Sequence, residues 1–270
     1  MVVERDVSNV EVEILDKKKT LIEMEDDDIK FLVGLLRKHK PKNLLEVGVS
    51  AGGSSYYLLR EMRKQSKLTS IDISETYYRD SNKEAGFVVQ ELIGDVPQDK
   101  WTKLLGKDCV ECVDYLEEQK PFDFVLIDTS HVMPGEFLSF LVVLPFVKRG
   151  APIVLHDTLL NYHLVMTWDY ESNTYINSAF CTGLLLSCVP SKKKEMPKSF
   201  CNIGSFICDK TTTRNILDVI LAMYQPWYEL PDEQLLEKYS IFVHKYYDES
   251  CSRYFDNLLE YEKRILNSKS

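Results

Sequence analysis

Two segments of this chain end in residues able to handle protons and cations: Phe122-Asp123-Phe124-Val125-Leu126-Ile127-Asp128-Thr129-Ser130-His131 and Ala151-Pro152-Ile153-Val154-Leu155-His156-Asp157-Thr158. Each is a continuous apolar run, the pattern of a strand buried on both faces of a parallel sheet. Ligands of open parallel sheets bind outside the carboxyl ends of the strands, so Asp128, His131, His156 and Asp157 are expected to converge on one spot. Two carboxylates and an imidazole there suit a hard divalent cation such as magnesium, and the other histidine is left to accept a proton. Each residue alone has a plainer use. An acid at a strand end caps the next helix, and a single histidine serves as a hydrogen-bonded structural group. The four together, at the ends of adjacent strands, point to a reaction.

A second element must hold whatever reacts there. Asn43-Leu44-Leu45-Glu46-Val47-Gly48-Val49-Ser50-Ala51-Gly52-Gly53-Ser54-Ser55 runs from an apolar strand through an acid into a small-residue turn and a helix start. Glycines in that turn let the backbone approach a ligand, and amides at the helix N-terminus face a carboxylate or phosphate. Leu68-Thr69-Ser70-Ile71-Asp72 then supplies a second strand ending in an acid, where a doubly wound sheet presents a carboxylate to ribose hydroxyls. Together they imply an adenosine-containing cofactor, although the turn by itself also serves as a tight strand-to-helix connection. NAD would call for Gly-x-Gly-x-x-Gly, and from Gly48 this chain has Ser50 at the second position. The spacing Glu46-x-Gly48-x-x-x-Gly52, with Ser54 at the helix start, instead resembles the first motif of class I S-adenosylmethionine-dependent methyltransferases. The resemblance implies that Glu46, Gly48, Ser50, Gly52, Ser54 and Asp72 hold S-adenosylmethionine, with Asp72 on the ribose.

The stretch from Asp123 to Thr158, with Ile127-Asp128-x-x-His131 and Leu155-His156-Asp157, is similar to the macrocin-type O-methyltransferases of macrolide sugars and more distantly to catechol O-methyltransferase. The likeness spans about residues 25 to 210. Carried over residue by residue, it implies that Asp128 and Asp157 are metal ligands and His131 is the general base. His156 stands where the characterised relatives have a carboxylate, at the remaining metal position. A further likeness, through Ser70-Ile71-Asp72-Ile73-Ser74, Pro134-Gly135-Glu136 and Leu155-His156-Asp157, is to uncharacterised bacterial proteins encoded among surface-polysaccharide genes. These resemblances imply a magnesium-assisted O-methyltransferase acting on a hydroxyl of a sugar or another small polyhydroxylated molecule. The alternative is a polysaccharide-pathway protein on the same scaffold that is non-catalytic or catalyses something else, because fold does not fix function.

Composition narrows the partners. With 270 residues, 44% of them hydrophobic, the chain can bury a full core. A net charge of -9 argues against a nucleic-acid surface, which needs a basic face. Lys17-Lys18-Lys19 and Lys192-Lys193-Lys194 read as solvated hairpin tips. Seven cysteines and no secretory signal fit a reducing cytosol, with Cys109-x-x-Cys112 on a helix from Cys109 to Glu118 and reduced. The longest apolar run, Phe137 to Val147, is too short to span a bilayer. A cytoplasmic protein without membrane partners is expected.

The elements that must position these residues follow from periodicity. Alternation over residues 10 to 24 predicts a hairpin, and the acids Glu25 to Asp28 open a helix that ends before Pro41. Strands at 43–47, 67–73, near Lys103 to Leu105, and at the two acid-tipped runs alternate with helices. Leu184 to Val189 and Ile203 to Cys208 are expected to close the sheet as a hairpin. The fold class is therefore α/β: a doubly wound, mostly parallel, seven-stranded Rossmann-like methyltransferase sheet. Residues 1–40 form a hairpin and helix, 41–210 the cofactor-binding catalytic domain, and 211–270 a helical extension. Two aromatic-rich segments, Ser74 to Asp80 and Asn161 to Phe180, overhang the carboxyl edge, either as an acceptor pocket or as self-anchored loops. The apolar stripes of the extension, such as Leu235, Leu236, Tyr239 and Phe242, either dock on the domain or form a homo-oligomer interface.

Overall fold

The strands at the centre of the molecule are buried on both faces, as their apolar runs require. The computed structural model describes residues 1–16, 21–159, 168–169, 174–175, 180–199, 202–225, 227–228 and 230–269. In chain order its strands are β1 (Val2–Arg5), β2 (Asn43–Val47), β3 (Lys67–Asp72), β4 (Thr76–Tyr77), β5 (Asp80–Glu84), β6 (Trp101–Leu105), β7 (Phe124–Ile127), β8 (Pro152–His156), β9 (Trp168–Asp169), β10 (Thr174–Tyr175), β11 (Lys194–Pro197) and β12 (Ile203–Ile207). The helices are α1 (Asp26–His39), α2 (Gly53–Glu61), α3 (Phe87–Ile93), α4 (Val113–Gln119), α5 (Gly135–Val143), α6 (Thr182–Cys188), α7 (Lys210–Arg214), α8 (Ile216–Ala222), α9 (Glu233–Tyr246) and α10 (Glu249–Lys269).

The main sheet has the order β1-β11-β12-β8-β7-β2-β3-β6. Only β12 runs antiparallel to its neighbours β8 and β11; the other pairings are parallel. The expected class is borne out. Alternate residues of β7 divide between two cores. Val125 and Ile127 face a cluster with Phe137, Leu141, Tyr239 and Phe255, while Phe124 and Leu126 face one with Phe31, Leu32, Tyr57 and Leu58. Glu25 and Asp28 cap α1 reciprocally, and three acids in its first turn complement its dipole.

Three expectations need correction. The described parts of residues 10–24 contain no strand, so the hairpin is absent there. Val10, Val12, Ile14 and Leu15 pack as a strap on α1 and α2, and side chains serve the strap's backbone. Arg37 donates to the Glu11 carbonyl at 2.8 Å, and the Tyr57 hydroxyl bridges Glu13 O and Leu15 N at 3.3 Å each. The N-terminal strand is instead β1, an eighth strand added outside β11. Leu184 to Val189 lie in or at the end of helix α6, because a short apolar run suits a buried helix as well as a strand. The sixth strand of the methyltransferase-like set is β11, whose polar sequence hid it. Lys193 and Lys194 are correspondingly not a solvated tip: Lys193 pairs with Glu195, and the Lys194 ammonium donates to Leu186 O and Ser187 O at 2.7 Å each.

The extension docks on the domain. Ile216, Ile220, Leu236, Tyr239, Phe242, Phe255 and Leu258 all join the core on the α5 side of the sheet. Cys109, Cys112, Cys181, Cys188, Cys208 and Cys251 are free thiols. No helix among the described residues is long and apolar enough to cross a membrane. Tyr162, His163 and Tyr170, and the side chains of Trp168 and Tyr175, lie outside the described residues, as do Lys17 to Lys19.

The edge of the sheet depends on one buried acid. Glu195 on β11, with only 2% of its side chain exposed, binds Arg5 of β1 at 2.6 Å, Lys38 of α1 at 2.9 Å, and Lys193. Burial alone would raise its pKa, but hydrogen bonds from Lys193, Lys38 and Arg5 outweigh burial and hold it at about 2. A depressed carboxylate stabilises the fold fully above the unfolded value of 4.5, and that contribution is lost as pH falls towards 2. Glu195→Gln is therefore expected to cost on the order of 2–3 kcal/mol near neutral pH in urea unfolding, with the gap to wild type closing on acidification through this window. A gap unchanged between pH 7 and 2.5 would contradict this.

Candidate active site

The turn after β2 is shaped by what it touches. Gly48 has φ +92°, and a Cβ there would lie 1.8 Å from the carbonyl oxygen of Asp128. Gly52, at φ +97°, would meet Gly86 at 2.7 Å. These glycines let the turn lie against the end of β7 and the start of α3. Asp128 N donates to Val47 O and Gly48 N to Ile71 O, each at 2.8 Å, which ties the three strand ends together. Ser50 also adopts a positive φ, 51°, unusual for a residue with a side chain.

Asp72 at the tip of β3 grips this turn. Its Oδ2 accepts Val49 N at 2.8 Å and Ser50 N at 3.0 Å, and Oδ1 accepts Ser74 N at 2.8 Å. Asp72 also lines the cavity described below. Glu46 lies elsewhere. It is fully buried and takes hydroxyls from Ser54 (2.7 Å), Ser55 (2.6 Å) and Ser70 (2.6 Å), while the Trp101 indole donates to Ser70 at 2.8 Å. Burial pushes its pKa up to about 7, against the opposing pull of those hydroxyls. Glu46 and Gly52 are absent from the cavity wall, whereas Gly48, Ser50, Ser54 and Asp72 line it. The acid of the first motif thus binds β2, β3 and α2 together behind the turn.

At the neighbouring strand ends the four predicted residues meet. Among the described residues, Asp128, His131 and Asp157 bring ligand atoms within 4.8 Å of one another. His131 Nε2 lies 3.0 Å from Asp157 Oδ2 and 3.9 Å from Asp128 Oδ1. Its other nitrogen, Nδ1, is 3.1 Å from Glu136 Oε1, which also accepts the His131 amide at 2.8 Å. His131 and Asp157 both hold positive φ, 63° and 60°, a strain concentrated where functional groups are found. His156 is almost entirely buried, with Nδ1 3.2 Å from Asp128 Oδ1 and Nε2 3.5 Å from Asp28 Oδ2. Asn202 donates to Asp157.

The field here favours positive charge. Burial works against a charged His131, yet hydrogen bonds to Asp157 and Glu136 push its pKa up to about 10. Burial likewise opposes charge on His156, but Asp128 and Asp28 drive its pKa well above the ordinary value. Burial would raise the Asp128 pKa, and the two imidazoles more than reverse that. Asp28, Asp128, Glu136 and Asp157 surround two rings, a donor set with acid in excess. Such a set fits a cation, with Asp128 and Asp157 as its hard oxygen donors.

A cavity of about 700 Å³ joins the turn to this cluster. It runs from Asp128, His131, His156 and Asp157 past Gly48 and Ser50 to Asp72 and Asp108, with Met24, Tyr78 and Tyr239 also in its wall. Asp28, Glu136 and Asn202 were not anticipated as site residues. Asp28 and Glu136 look in sequence like helix-start acids, and nothing local marks Asn202.

Residues 45–158 match the sequence model of a family described as a methyltransferase domain. No match was found among curated proteins. Among solved structures, the chain is similar to an O-methyltransferase from Bacillus cereus in complex with S-adenosylhomocysteine, at 16% identity and a TM-score of 0.51 over 74% of this chain and 94% of that one. It is also similar to a crystallised Klebsiella pneumoniae protein provisionally described as an O-methyltransferase, at 14% identity and a TM-score of 0.51 over 71% and 86%. The likenesses to the solved structures support the fold. The domain match over residues 45–158 supports the expectation of a methyltransferase.

Removing the carboxylate at Glu46 would strand three buried hydroxyls. Glu46→Ala is expected to lower stability by roughly 3 kcal/mol or more, and Glu46→Gln, which keeps an acceptor, by less. Equal stability of Glu46→Ala and wild type in urea denaturation would show that these bonds are replaceable by water.

Proposed function

We propose that the protein is an S-adenosylmethionine-dependent O-methyltransferase acting on a hydroxyl of a sugar or another small polyhydroxylated molecule, with assistance from a divalent cation. The observation that carries this is the single cavity shared by the Gly48 turn and the Asp128–His131–Asp157 cluster. A methyl donor held at the turn would present its reactive end to the only described group of side chains that combines acids and imidazoles in that cavity.

Asp128 and Asp157 are the residues that would hold the cation, which when bound would lower the pKa of an acceptor hydroxyl. His156, clasped between Asp28 and Asp128, is assigned to the support of Asp128 rather than to the cation. His131 is the residue placed to take the hydroxyl proton at Nε2, with its ring and backbone amide fixed by Glu136. Asp72, Ser50 and Ser54, which line the cavity beside Gly48, are the groups assigned to orient the cofactor.

His131→Ala is expected to lose turnover roughly a hundredfold or more while still binding S-adenosylhomocysteine in calorimetry. Asp128→Asn and Asp157→Asn should weaken magnesium binding first, and a chelated wild type should lose methyl transfer and regain it on adding magnesium. Full activity after rigorous metal removal would reject the metal and leave His131 as the activating group. Asp72→Ala is expected to weaken S-adenosylhomocysteine by about 1.5–3 kcal/mol, the worth of a hydrogen bond to a charged acceptor. Binding of NAD with no binding of S-adenosylhomocysteine would overturn the cofactor.

A further inference from the structure

The helical extension does more than cover the sheet: Leu230, Pro231, Leu235 and Tyr239, from α9 and the segment before it, form one wall of the cavity. Tyr239 is 2% exposed, and its hydroxyl donates to Asp108 Oδ1 at 2.6 Å. Asp108 follows β6, lines the same cavity, and caps the short turn Cys109–Cys112 by accepting Val110 N on that same oxygen at 2.9 Å. Its amide is held in return by Glu111 at 3.0 Å, and Glu111 is bound by Lys238, the residue before Tyr239, at 2.5 Å. Further ties run from the extension to the domain: Tyr246 to Glu117 at 2.5 Å, and Tyr228 N to Met133 O at 3.0 Å, two residues from His131.

The sheet order fixes which part of a ligand meets this wall. The acid–imidazole cluster sits at the ends of β7 and β8, the glycine turn at β2, Asp72 at β3, and Asp108 just beyond β6. A ligand whose reacting end lies at the cluster and that spans this cavity crosses the ends of β2 and β3, and its far end reaches Asp108. On the reading that the cavity holds S-adenosylmethionine, that far end is the nucleoside.

We infer that Tyr239 is a positioning residue for nucleoside recognition: by occupying Oδ1 of Asp108 it leaves the second carboxylate oxygen to accept a polar hydrogen of the bound nucleoside, which makes cofactor selectivity depend on the docked C-terminal extension. Tyrosine suits the role because its buried hydroxyl stays protonated, burial and the adjacent Asp108 both opposing ionisation. Phenylalanine would fill the same space without the bond.

The test is calorimetric titration of the full chain with S-adenosylhomocysteine and with S-inosylhomocysteine, in which a carbonyl replaces the exocyclic amine. Wild type is expected to prefer the adenosyl compound. Tyr239→Phe should weaken that compound about tenfold and reduce the preference, Asp108→Asn should do the same, and the double variant should lose no more than either single one. A mere packing role would not change the ratio of the two ligands. Tyr239→Phe with wild-type affinity and preference would overturn the proposal. A second measurement needs no variant: hydrogen exchange over residues 230–246 of wild type should slow on saturation with S-adenosylhomocysteine, and unchanged exchange would equally overturn it. Wild type that fails to bind S-adenosylhomocysteine would instead bring down the cofactor reading and this proposal with it, a distinct result.

Discussion

Where β2 gives way to its turn, the backbone of Gly48 runs so close to Asp128 that only a hydrogen fits between residue 48 and the carbonyl oxygen it faces. That approach brings the Gly48 turn and the acid-tipped end of β7 to a common edge, where amide bonds to Val47 and Ile71 already align the strands. Everything proposed for the site depends on this closeness. Asp72 reinforces it from β3 by holding the amides of Val49 and Ser50, and Glu46 does so from beneath by collecting serine hydroxyls from α2 and β3. A glycine read only as a means for ligand to approach backbone is here, first, a means for one backbone to approach another.

The second constraint is charge. Four carboxylates placed around two imidazoles in a largely buried pocket stabilise cations wherever they can be accommodated. The same arrangement that raises the affinity of His131 for its proton would be relieved by a positive charge entering the cavity, whether a metal ion or a sulfonium, because like charges near an imidazolium favour loss of its proton. His131 as a proton acceptor and the cavity as a site for a cationic methyl donor are thus linked by electrostatics.

Much of this was legible in the sequence, for physical reasons that also explain the failures. Apolar runs ending in Asp128 and His156-Asp157 identify central parallel strands because burial on both faces leaves no polar alternation, and the strand ends then locate the site. The first motif places Glu46 at the cofactor because spacing carries no direction, whereas the side chain points into the scaffold. β11 is hidden in the sequence because its buried acid Glu195 is neutralised by Arg5, Lys38 and Lys193 from outside the strand, so no apolar run marks it. The strap over residues 10–16 alternates like a strand because it too has one covered face, but its hydrogen bonds go to side chains of α1 and α2. Asp28, Glu136 and Asn202 reach the cluster through tertiary contacts that no local pattern encodes.

The central claim is that one cavity holds the methyl donor and the acid–imidazole cluster together, and a crystal structure of the full chain with S-adenosylhomocysteine tests it most directly. The account predicts the sulfur between the Gly48 turn and His131, the ribose at Asp72, and enough room beside Asp128 for an acceptor oxygen to come within about 3–3.5 Å of a transferred methyl group. A sulfur turned away from Asp128 and His131, with the cluster walled off from the ligand, would contradict it.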